Sequence, residues 1–189
     1  MNAKFTYFTS PKALPDTEAP YDYGQRYMLE EYPSYSRLKI SASDHGIRML
    51  LKLSECLMPP FYCLYVLVVG RTESEPGRYQ SPVLASREEL VDFLLDYQSL
   101  FESDGRHHLW ISVPDGYATL VYDKHNLIYA YGAKDEFIEM LQAMDYIQED
   151  FEIPFPHGHN YLSESDARVE DLLHYWEWQH FPLQETDEE

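Results

Sequence analysis

The chain of 189 residues is 44% hydrophobic and 15% aromatic, enough to bury the core of one domain, and no linker-like break divides it. Its 33 acidic against 14 basic side chains give a formal net charge of -19, a field that repels nucleic-acid phosphates and anionic membrane surfaces and favours a basic protein partner. The longest apolar run, residues 61–69, is far short of the roughly 20 residues of a bilayer-spanning helix, and the first residues carry no secretory pattern. With only Cys56 and Cys63, expected as reduced thiols, a cytoplasmic location is the expectation.

Residues 1–36 are rich in Tyr and Pro: Tyr21, Tyr23, Tyr27, Tyr32 and Tyr35 are set among Pro11, Pro15, Pro20 and Pro33. Repeated Pro interrupts regular structure, so this stretch is predicted to be an arm laid across an α+β core at 37–183. Its rings either anchor the arm to its own domain or, as at Tyr23 and Tyr27, contact a partner. Residues 35–40 alternate as a strand, and Ser43 or Asp44 is placed to cap a helix that runs to about Leu57 before Pro59 and Pro60.

Residues 61–70 form a continuous apolar run with Val66, Val68 and Val69, the pattern of a central buried strand. Residues 79–84 return as an edge strand, since Pro82 lacks the amide that a central position requires. Ser86 and Glu89 make a capping box for a helix with Leu90, Phe93, Leu94, Tyr97 and Phe101 on one face. A three-strand meander follows at 107–132, its turns marked by Pro114-Asp115-Gly116 and Lys124-His125-Asn126. Neither face of it is plainly polar, so both are expected to be covered.

A helix after Gly132 turns Phe137, Leu141 and Met144 inward and leaves Asp135, Glu136 and Glu139 outside. Residues 151–161 read as an irregular crossing, Ser163 and Asp166 open a last helix with Val169, Leu172, Leu173 and Trp176 inward, and 184–189 is an acidic tail with nothing to bury, expected to be disordered. The whole is an α+β fold: a single mainly antiparallel sheet, built on the central strand 61–70 and the meander 107–132, with amphipathic helices packed on it. The meander and its following helix, residues 107–144, resemble in topology the closing part of SUKH-superfamily immunity-protein domains; the opening helix and glycine turn of that family have no counterpart in the first half. That resemblance implies an inhibitor that occupies the basic site of a toxin.

Phosphate loops, dinucleotide fingerprints, nucleophile elbows and H-E-x-x-H are absent from the sequence, and no cofactor is expected. His157 and His159, two positions apart, face the same way on an extended chain and are candidate metal ligands if His107, His108, His174 or a carboxylate completes the shell; alternatively they hydrogen-bond to backbone carbonyls. His125 is explained by hairpin chemistry, with Asp123 expected to point elsewhere. Three functions stay open. One is a non-enzymatic acidic protein-binding module using Trp178, Glu177, Tyr23, Tyr27, Asp135 and Glu139; another is a metal-dependent hydrolase or small enzyme using His157 and His159 with carboxylates; the third is a self-associating structural subunit.

Overall fold

The structure, a computed structural model, describes residues 3–9, 18–42, 45–114 and 116–187. The expected helix cap at Ser43 or Asp44, the prolines Pro11 and Pro15, the turn residue Asp115 and the tail residues Glu188 and Glu189 lie outside the described residues. In chain order the elements are β1 (Phe5–Phe8), β2 (Glu18–Pro20), β3 (Arg26–Glu31), β4 (Ser36–Ser41), α1 (Gly46–Leu53), β5 (Tyr62–Leu67), β6 (Gly77–Gln80), α2 (Arg87–Asp96) and α3 (Gln98–Ser103). They continue with β7 (His107–Ser112), β8 (Ala118–Tyr122), β9 (Leu127–Gly132), α4 (Lys134–Ala143), β10 (Ile147–Gln148), β11 (His157–His159), α5 (Asp166–Tyr175) and β12 (Gln179–Phe181).

The fold is mixed α+β. Nine strands make one sheet in the order β10-β3-β4-β9-β8-β7-β5-β6-β12, antiparallel except where the short β10 runs parallel to β3. Alternation sends Leu38, Ile40, Cys63, Tyr65, Leu109, Ile111, Leu120, Tyr122, Ile128 and Ala130 to one face, where all are buried. The helices close that face with Ile47 and Leu50 of α1, Phe93 and Leu94 of α2, Phe137 and Leu141 of α4, and Val169 and Leu172 of α5. Each such side chain contributes about 1.5–3 kcal/mol by leaving water. Ser86 caps α2 as expected, its Oγ accepting from the Glu89 amide at 3.3 Å.

The opposite face is covered over part of its area by a second, three-stranded sheet in the order β11-β1-β2. Phe5, Tyr23 and Phe151 pack there on Leu127, and the buried Lys39 donates to the Phe151 carbonyl at 3.0 Å. This lid holds one side of the candidate site.

Three expectations are corrected. The predicted arm contains an internal strand: β3 lies between β10 and β4, and Tyr27 within it is 1% exposed. Pro20 closes β2 and Pro33 falls between β3 and β4, so these prolines bound strands and do not interrupt them. The predicted edge strand is β6, which ends before Pro82 and is itself covered by β12. In the acidic tail, Glu185–Asp187 forms a short 3-10 turn in which Asp187, 5% exposed, approaches Arg78 Nε at 3.2 Å and accepts from the Gln184 amide.

Candidate metal centre

The turn between β8 and β9 is tight: the Asp123 amide donates to the Leu127 carbonyl at 2.9 Å, and Asn126 takes the left-handed conformation with φ 62°. The Asp123 carboxylate folds back under the turn. Its Oδ1 accepts from the amides of His125 and Leu127, each at 2.9 Å, and its Oδ2 lies 2.8 Å from His125 Nδ1. Asp123 therefore points at His125 and not away from it, because its carboxylate folds back onto the turn amides and so meets the ring two residues on. Burial alone would raise its pKa, but the bond and charge of His125, with help from His108 and the Leu127 amide, hold it below the usual carboxylate range. An ionised carboxylate only accepts, so Nδ1 of His125 donates in this bond and Nε2 is the ring nitrogen left available to a metal.

The other two imidazoles arrive from the small sheet. β1 pairs with β11 antiparallel, setting Phe5 opposite His159, Thr6 opposite Gly158 and Tyr7 opposite His157. Since successive side chains alternate, His157 and His159 share a face, and that face meets the β8–β9 turn. His157 Nδ1 donates to the Pro154 carbonyl at 2.7 Å, which leaves its Nε2 as the free acceptor. Burial, then the neighbouring cations and imidazoles, push the His159 pKa down to about 3, so its ring is neutral at pH 7. Its Nε2 is buried and makes no hydrogen bond among the described residues.

One ligand atom from each of His125, His157 and His159 falls within 4.8 Å of the others. Three nitrogens around a tetrahedral ion with bonds of about 2.0–2.1 Å stand about 3.3 Å apart, so the three rings would have to draw closer together to complete such a site. The buried Phe5 ring packs on all three, with centroid separations of 5.7 Å to His125, 5.3 Å to His157 and 5.7 Å to His159. It gives the cluster an apolar wall, and Tyr23 braces the turn from below by donating to the His125 carbonyl at 3.2 Å.

The clamp that carries His157 and His159 is seated by backbone contacts. The Gly105 amide donates to the Asn160 carbonyl at 2.8 Å, and the Asn160 amide donates to the Lys4 carbonyl at 3.0 Å. Beside His125 the uncovered part of the sheet forms a cleft of about 460 Å³, whose lining includes Tyr35, Arg37, His108, Trp110, Tyr129 and Tyr131.

Of the metal ligands expected from sequence, His157 and His159 converge, and His125 joins them in place of the suggested partners. His107 is buried on the helix side among Tyr65 and Phe101, His108 lines the cleft, and His174 Nδ1 is bonded to the Glu170 carbonyl on α5. Among the expected partner contacts, Tyr23 and Tyr27 are buried at 3% and 1% exposure, so neither ring is open to a second molecule. Trp178 is half-buried, its Nε1 donating to the Leu172 carbonyl at 2.9 Å and its ring packed on Trp176. Glu177, Asp135 and Glu139 are exposed. Comparison with known proteins gives no match to a family model, a curated protein or a solved structure, so function rests on this geometry alone. Among the described residues no helix is long and apolar enough to cross a membrane.

Proposed function

We propose that His125, His157 and His159 hold a divalent ion of the zinc type, and that the protein is a metal-dependent hydrolase acting on a substrate seated in the cleft beside His125. The observation that carries this reading is the meeting of three imidazoles from two separate sheets, two of them with Nδ1 already tied to an acceptor. Three imidazole ligands would leave a fourth position open, the arrangement in which zinc lowers the pKa of a bound water to about 7 and supplies a nucleophile. Asp123 fixes the His125 tautomer, and Phe5 keeps bulk water from one side of the cluster. The acidic protein-binding reading draws less support, because two rings that it needs as anchors, Tyr23 and Tyr27, are spent inside the fold.

Cobalt tests the reading directly. The metal-free protein is expected to take up one equivalent of Co2+ with the intense visible bands of a four-coordinate ion, and zinc is expected to displace it. Absence of binding, or binding unchanged when all three histidines are replaced, overturns the assignment.

Gly105 offers a second handle. A Cβ there would lie 2.8 Å from the Lys4 carbonyl oxygen and 3.0 Å from His159 Cβ. Gly105→Ala is therefore expected to cost about 1–3 kcal/mol of stability and to weaken zinc binding as well, since the displaced backbone carries a ligand. Urea melts with and without zinc separate the two losses.

A further inference from the structure

We infer that the cleft beside His125 binds a small uncharged molecule through a flat ring, laid over Val121 between the aromatic walls of Trp110 and Tyr129. The register places these three in one row across β7, β8 and β9, with Trp110 opposite Val121 and Val121 opposite Tyr129. Strands stand about 4.7–4.9 Å apart, so the two aromatic positions are separated by about 9–10 Å with an aliphatic floor between them. Tyr131, next along the same face of β9, extends the wall, and the cleft volume of about 460 Å³ lies within the range of small-molecule sites.

Charge sets the class of ligand. Every charged side chain at the cleft already has an opposite or polar partner. Arg37 donates from Nε to Glu30 at 2.6 Å and from Nη1 to the Tyr131 hydroxyl at 3.0 Å, and its guanidinium lies 4.1 Å from the Tyr129 ring centre. Asp187 is paired with Arg78 at 3.2 Å, and Asp123 with His125 at 2.8 Å. In the metal-free protein an ionic ligand would have to be desolvated with no free counter-charge among the lining residues to meet it, and an anion would in addition face the -19 field of the whole chain. A neutral ring meets neither cost. His108 also lines the cleft, but its Nε2 is buried, so the walls and floor offered to the ring are chiefly apolar.

The inference supplies a substrate class to the proposed metal centre, yet ring binding is measured on the metal-free protein, so the two readings fail separately. Saturation-transfer NMR with 4-nitrobenzyl alcohol and with 4-nitrobenzoate compares one ring in neutral and anionic form. Saturable binding of the alcohol, at least about tenfold tighter than the benzoate, is the expected result. Trp110→Ala is expected to weaken the alcohol by about tenfold or more, and Val121→Trp, which fills the floor and keeps both walls, is expected to block it; circular dichroism checks that each variant is folded. No binding of the alcohol, equal binding of the benzoate, or affinity untouched in both folded variants overturns the inference. Zinc uptake by the same preparation, measured apart, leaves the metal reading standing or falling by itself.

Discussion

Zinc is expected to raise the melting temperature of the wild-type protein, and His159→Leu is expected to cancel that rise while leaving the metal-free protein at least as stable as before. The two halves of this result have one cause. In the metal-free fold the His159 Nε2 is buried and makes no hydrogen bond among the described residues, a state that costs about 1–3 kcal/mol. Leucine removes that polar atom and keeps an apolar contact for Phe5, whose ring lies 5.7 Å from the imidazole. A histidine kept only for packing would behave in the opposite way, losing stability on replacement. With free zinc at 100 times its Kd, binding stabilises the wild type by about 2.7 kcal/mol, which for a chain of this size is a rise of roughly 5–10 °C. Asp123→Asn keeps all three ligands but weakens control of the His125 tautomer, and zinc affinity is expected to fall by about 10–100-fold. Calorimetric titration, with thermal melts at fixed zinc, checks the order wild type, then Asp123→Asn, then His159→Leu. A His159→Leu protein that still gains stability from zinc would remove this histidine from the site.

Much of the fold was legible because it is written in local periodicity. The meander, the capping box at Ser86 and the apolar faces of α2, α4 and α5 each follow from residues within a few positions of one another. The first 36 residues misled because proline frequency says that regular structure is interrupted but not where. Pro20 and Pro33 sit at strand boundaries, and six residues between them are enough for β3. The site was half legible. His157 and His159 announce themselves by spacing, whereas His125 is 32 positions before the nearer of them and meets them only through the packing of the small sheet, with Phe5 at its centre, on the β8–β9 turn. The one local trace of its role was Asp123, two residues upstream, in a turn where carboxylate and imidazole are able to meet. The sequence also gave no sign that a short segment such as β11 would pair with a strand more than 140 positions earlier.

Acid is expected to destabilise the metal-free protein well before its carboxylates titrate, through His159 of the candidate site and, more fully, through two histidines on β7. Burial, ahead of the charges around it, pushes the His108 pKa down from 6.5 to about 4, and burial with the nearby Lys4 charge holds His107 well below its ordinary value. Both are therefore neutral in the folded state under conditions where the unfolded chain takes up protons. The stability they permit is fully present above pH 6.5, where neither state is protonated, and is lost as the pH falls toward the folded values. For His108 alone the loss amounts to about 3 kcal/mol at pH 4, and His107 adds to it in the same direction. Asp123, held below the usual carboxylate range, begins to contribute only near the foot of that window. Urea denaturation with chelator present, at steps from pH 7.5 to 4.5, should show a falling midpoint whose slope corresponds to more than one proton taken up on unfolding. His108→Gln is expected to reduce that uptake by close to one proton. A midpoint that does not move across this range, or a slope that the substitution leaves unchanged, would mean that His108 is solvated in the native state and that the cleft it lines is open to bulk water, which would in turn weaken the case for a ring bound beside it.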